Sequence, residues 1–213
     1  MSTPPTSELL VNGAADAAAT VLLAHGAGAP MDSAFMAAMG EGLAACGWRV
    51  VRFEFPYMAK QRVTGRKSAP DRMPVLQECF RAVAAKARGQ GALFIGGKSM
   101  GGRIASLLAD ALDVAGCLCL GYPFHPPGKP QQLRTEHLAE LRTPTLILQG
   151  ERDTFGRREE VETYPLSPQV QVEWLTAGDH SFKPTKSSGL SEADNWQAAV
   201  AQADRFMRAV LAT

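Results

Sequence analysis

The segment Gly97-Lys98-Ser99-Met100-Gly101 joins an apolar run, Ala92 to Ile95, to a stretch in which Ile104, Leu107, Leu108, Ala111 and Leu112 recur at helical spacing. Glycines two positions either side of a serine, at the join of a strand and a helix, permit a strained turn that pushes one hydroxyl into solvent. Ser99 is therefore the expected nucleophile. A serine hydroxyl is weak at neutral pH; it needs a base within hydrogen-bond reach, and that base needs an orienting carboxylate. Two later segments supply such groups. Gly150-Glu151-Arg152-Asp153 follows the apolar run Thr145 to Gln149, and Ala177-Gly178-Asp179-His180 follows Val170 to Leu175. We take His180 as the base and Asp153 as its orienting carboxylate. His125 is the rival of the first, and Asp179 and Glu151 are rivals of the second. The chain order Ser, Asp, His separates this arrangement from other triad orders.

A fourth segment, His25-Gly26-Ala27-Gly28, follows the apolar run Ala19 to Ala24. Its glycines let the chain turn tightly enough to bring a backbone N–H near Ser99. The amides of Ala27 and Met100 are the expected oxyanion hole. His25, Gly26, Gly28, Lys98 and His125 are the expected substrate-binding residues, with His25 shaping its own turn and His125 walling the pocket. His137, in a polar stretch, reads as a surface residue. Lys60, Arg62, Arg66, Lys67 and Arg72 face only Asp71 over a short span. They read as a solvated loop, or alternatively as a rim favouring an anionic group.

These groups can converge only if the elements beneath them are arranged to hold them. Strand-like runs at 19–24, 48–53, 92–95, 114–120, 145–149 and 170–175 alternate with segments whose apolar residues lie three and four apart: Phe35, Met36, Met39 and Leu43, then Val75, Leu76, Cys79, Phe80 and Val83, then the helix after Ser99. A last amphipathic helix carries Trp196, Val200, Ala203, Phe206 or Met207, and Val210 on one stripe. Such alternation predicts a mostly parallel, doubly wound α/β sheet with helices on both faces, because parallel neighbours need crossover connections. Glu8 to Asn12 could add a short antiparallel edge strand. In an open parallel sheet, ligands bind beyond the carboxyl ends of the strands, where all four chemical segments fall.

The 213 residues read as one domain, 1–213. With 46% hydrophobic residues, 20% charged residues and a net charge of +1, a globular core is within reach and a polyanion partner such as nucleic acid is disfavoured. No basic start with a long apolar stretch, and no run of about twenty apolar residues, marks a secretory signal or a membrane span. A cytoplasmic protein with no membrane partner is expected. Cys46, Cys79, Cys117 and Cys119 lack paired metal spacing and read as reduced thiols rather than disulfides, the last two on one face of a strand.

Along nearly its whole length the chain resembles the α/β-hydrolase superfamily. Gly96 to Arg103, Gly121 to Pro130 and Gln149 to Gly156 are similar to a small bacterial group. That group is in turn similar to the hydrolase-like domain of an animal chromatin-regulatory complex subunit and of a testis-expressed protein. The resemblance implies the α/β-hydrolase fold and a Ser99–His180–Asp153 triad, without a substrate. Serine stands where the dienelactone-hydrolase branch has cysteine, which argues against that activity. The longest non-helical insertions, Glu54 to Pro74 and Gly121 to Arg134, leave little or no lid. The expected function is cleavage of carboxylic esters or thioesters of small acyl substrates through an acyl-enzyme, with no cofactor and no metal. The alternatives are a non-catalytic interaction scaffold that keeps the fold, and a peptidase.

Overall fold

A computed structural model describes residues 8–89 and 91–213. Seven strands form one sheet: β1 (Leu10–Asn12), β2 (Ala19–Ala24), β3 (Arg49–Phe53), β4 (Ala92–Lys98), β5 (Gly116–Leu120), β6 (Thr145–Gly150) and β7 (Val170–Leu175). Their spatial order is β1-β3-β2-β4-β5-β6-β7, and only β1 runs antiparallel to its neighbour. The helices are α1 (Ala34–Ala45), α2 (Pro56–Thr64), α3 (Met73–Ala87), α4 (Met100–Leu112), α5 (Arg158–Val161) and α6 (Glu192–Leu211). This is the fold class the alternation predicts, with β1 as the expected antiparallel edge.

Successive strand residues face opposite sides of a sheet, and here both sides are apolar. Val21, Leu23, Leu118 and Leu120 pack with Met36, Met39, Leu43, Ala203 and Met207 of α1 and α6. Leu22, Ala24, Cys117 and Cys119 pack with Phe80, Val83, Ile104 and Leu108 of α3 and α4. Covering both faces explains why β2, β4, β5 and β6 are buried at nearly every residue rather than alternating. The edge strand β7 is alternately exposed, as a half-covered strand should be. The four cysteines are free thiols, and the sulfurs of Cys117 and Cys119 lie 3.9 Å apart on the same face.

One expectation needs correction. The span from Glu54 to Pro74 is not a loop throughout, because α2 occupies its first half. Pro56 opens this helix, where a missing N–H costs nothing, and Gly65 ends it with φ of 66°. It buries only Tyr57 and Met58, so no apolar periodicity announced it. One basic side chain of this span is tied down rather than solvated. Arg62 bonds Glu54 and Asp32 at 2.6 to 3.0 Å. No helix among the described residues is long and apolar enough to cross a membrane.

Candidate active site

The parallel strands β2, β4, β6 and β7 end on one side of the sheet, at Ala24, Lys98, Gly150 and Leu175, and the loops that follow carry the four chemical segments. Ser99 sits between β4 and α4 with φ of 51° and ψ of −113°, a conformation L side chains rarely adopt. Its own N–H donates to the Leu120 carbonyl and its carbonyl accepts the first bond of α4, from Arg103. The turn closes because α4 starts hard against the end of β2. A Cβ on Gly101 would come within 2.5 to 2.8 Å of the carbonyls of Ala24 and His25.

His180 Nε2 lies 2.9 Å from Ser99 Oγ, and His180 Nδ1 lies 2.7 Å from Asp153 Oδ2. A carboxylate only accepts, so Nδ1 carries the proton and Nε2 is left bare to accept from the Ser99 hydroxyl. Asp153 is fully buried. Its Oδ1 accepts the Phe155 N–H at 2.9 Å, and its Oδ2 also accepts from Gln149 Nε2 at 2.9 Å. The rival carboxylates are occupied elsewhere. Asp179 accepts the amides of Ser181 and Lys183, shaping the loop around His180, and Glu151 accepts the Ala177 amide. Burial holds the His180 pKa below its ordinary value, and the Lys98 charge acts in the same direction. The Asp153 hydrogen bond and the charges of Asp153 and Asp179 oppose the shift.

A cavity of about 560 Å³ opens over Ser99 and His180. Phe35, Met36 and Trp196 form its apolar wall, Gly26 to Ala29 its rim, and Ser33 and Glu192 add polar groups. Ala27 is exposed on that rim. The Tyr57 hydroxyl steadies the turn, donating to the carbonyls of Gly26 and Ala27 at 3.3 and 3.0 Å. Met100 opens α4, where first-turn amides have no partner within the helix.

Of the expected substrate-binding residues, Gly26, Gly28 and Lys98 line this cavity, whereas His25 and His125 do not. His25 is fully buried, donating from Nδ1 to the Gly26 carbonyl at 2.6 Å and accepting the Phe55 N–H at Nε2. Burial lowers its pKa, which keeps this neutral tautomer. His125 is buried outside the cavity lining, with Nδ1 on the Pro126 carbonyl and Nε2 3.4 Å from Glu160. The proline-rich loop folds it away from the cavity. His137 is half-buried rather than a surface residue. Its Nε2 lies 2.9 Å from Ser106 Oγ, and burial pushes its pKa down to about 4.

Two further contributors carry little signal in the sequence. Gln149, fully buried at the end of β6, ties Asp153 to the Tyr122 and Gly156 carbonyls and accepts the Tyr122 N–H. A polar residue closing an otherwise apolar strand was the available signal. Phe155 stacks on the imidazole of His180, with centroids 4.2 Å apart, and two residues' spacing from Asp153 was its only trace. Among the described residues, no group of three or more His, Cys, Asp and Glu side chains could hold a metal ion.

Residues 17–208 match the model of the alpha/beta hydrolase domain family. The chain belongs to that family. A lidless serine hydrolase from Xanthomonas campestris has a TM-score of 0.68 at 21% identity, over 92% of this chain and 87% of that one. An alpha-beta serine hydrolase homologue from Coxiella burnetii also reaches 0.68, at 19% identity, over 91% and 89%. Est1E from Butyrivibrio proteoclasticus reaches 0.72 at 14% identity, over 96% and 94%. At such identities the likeness is one of fold, and it extends over nearly the whole of this alpha/beta hydrolase.

Proposed function

We propose that this alpha/beta hydrolase, acting as one domain over residues 1–213, is a cytoplasmic serine hydrolase that cleaves carboxylic esters or thioesters of small acyl groups. One observation carries the reading: the unbroken chain Asp153–His180–Ser99, with both contacts under 3 Å, ending on a hydroxyl held in a strained turn. Ser99 Oγ attacks the acyl carbonyl while His180 Nε2 takes its proton, and Asp153 stabilises the imidazolium. The tetrahedral oxyanion is received by the amides of Ala27 and Met100, a pair of donors each worth about 10²–10³ in rate in comparable enzymes. His180 then protonates the departing alkoxide or thiolate. Water, deprotonated by the same imidazole, releases the acid and regenerates Ser99.

The modest, open cavity supports small acyl groups. Its apolar wall fits the acyl chain, and Gly26 and Gly28 border the reacting carbonyl. The segments 96–103, 121–130 and 149–156 support the finer kinship to the animal hydrolase-like domains. A panel of short acyl esters, thioesters and aminoacyl amides tests the reading, wild type against Ser99→Ala. Turnover of esters or thioesters lost in the variant supports it. Amide turnover alone makes the protein a peptidase, and no turnover of any substrate by folded protein favours an interaction scaffold.

A further inference from the structure

Among the described residues, Lys98 is the one lysine in the wall of the cavity, and only 8% of it is exposed. A buried ammonium needs partners, and its partners here all belong to the loop of the proposed base or to the groups around it. Nζ donates to the main-chain carbonyl of His180 at 2.5 Å. It sits 5.5 Å from the ring centroid of Phe35 of α1, within cation–π range. It also lies against the backbone of Gly121, at the end of β5, where a Cβ would come within 2.8 Å of Nζ and 2.7 Å of the His180 carbonyl. The charges facing it are those of Asp153 after β6 and Asp179 after β7, and Glu192 of α6 lines the same cavity. The ammonium therefore lies under the base, not over the substrate.

We propose that Lys98 is a positioning residue for His180: pinned between the His180 carbonyl and the Phe35 ring, it fixes the loop that carries the imidazole and keeps a positive charge beside it. The proposal rests on the reading of His180 as the base. Two consequences separate its parts. The hydrogen bond holds Nε2 toward Ser99, so its loss lowers kcat with little change in KM. The charge disfavours imidazolium, so its loss makes His180 protonate at higher pH, against the opposing pull of Asp153 and Asp179. Burial lowers the pKa of Lys98 itself to about 8, with Asp153 and Asp179 pulling it back up. The charge is thus in place at neutral pH and is withdrawn above it.

Three measurements test this. In wild-type protein, the ring resonances of His180, followed by NMR against pH, should show their main transition below pH 6.5 and a second, smaller one near pH 8 as Lys98 loses its proton. In Lys98→Met and Lys98→Gln the second transition should vanish, and the first should move up by about half a pH unit. On the ester that wild type turns over best, Lys98→Met should lose about tenfold in kcat at pH 8, and Lys98→Gln, which keeps a donor for the His180 carbonyl, should recover part of it. A single wild-type transition, or an unmoved His180 midpoint in either folded variant, overturns the electrostatic half. Unchanged kcat in both variants overturns the positioning half. The NMR reading needs no turnover, so a protein that proves inactive refutes the hydrolase reading while Lys98 is still judged. Should neither variant fold, the wild-type transition near pH 8 decides alone.

Discussion

The ring of Phe155 lies against the imidazole of His180, centroids 4.2 Å apart and planes 29° apart, and a single carboxylate fixes both. Asp153 holds the Phe155 amide with one oxygen and His180 Nδ1 with the other. Two residues of chain thus deliver the orienting carboxylate together with an apolar cover for the base. The cover contributes to the burial that keeps His180 largely neutral at physiological pH.

Phe155→Ala should therefore shift the pH profile. With His180 held below 6.5, kcat/KM in wild type should rise with pH to a plateau, its acid limb centred below pH 6.5. Stripping the cover lets water reach the ring and weakens the burial effect, so the limb should move to higher pH. A pH–rate series on one ester checks it, and an unmoved limb would mean that Phe155 contributes nothing to the base.

The strain at Ser99 is open to calorimetry. Ser99→Ala and Ser99→Gly both remove the hydroxyl, but only glycine relaxes at φ of 51°. A strained position stores about 1–3 kcal/mol and glycine loses about 1 kcal/mol to chain entropy, so Ser99→Gly should be the more stable by about 1 kcal/mol. A glycine variant less stable than the alanine variant by about 1 kcal/mol would show that the turn holds no strain.

Gln149→Leu should cost more than its position suggests. It leaves the Tyr122 N–H unpaired in a buried setting and takes one donor from Asp153. Each lost partner costs about 1–3 kcal/mol, so denaturant unfolding should register a loss of about 3 kcal/mol. Turnover at pH 8 should fall about tenfold as Asp153 loosens. Wild-type stability in the variant would remove Gln149 from the account.

Trp196 walls the cavity and bonds the Ser181 carbonyl through its indole N–H. Trp196→Leu should lengthen the preferred acyl chain by one or two methylenes, each worth about 0.8 kcal/mol, or roughly fourfold in kcat/KM. An acyl-length series with an unchanged optimum would locate the acyl site elsewhere.

Most of the frame was legible because it rests on repetition. The runs at 19–24 and 170–175 match β2 and β7 residue for residue, and the helix after Ser99 was visible in its apolar spacing. The loops that close on the site were legible by chemistry, since Ser99, Asp153 and His180 each follow a strand that ends on the same side. What the sequence hid is set by partners distant in the chain. Nothing local distinguishes His125 on Glu160 from a pocket wall, or His137 on Ser106 from a surface side chain. The helix α2 was hidden for a different reason, because a polar surface helix with two buried residues carries no apolar stripe to read.

The most direct test of the account is covalent. Purified wild-type protein treated with a fluorophosphonate probe should gain one adduct by intact mass, mapped to the peptide containing Ser99. His180→Ala should slow its formation at least about a hundredfold, because the hydroxyl loses its proton acceptor. A folded wild-type protein that takes no label, a label on another residue, or a His180→Ala variant that reacts at the wild-type rate would contradict it.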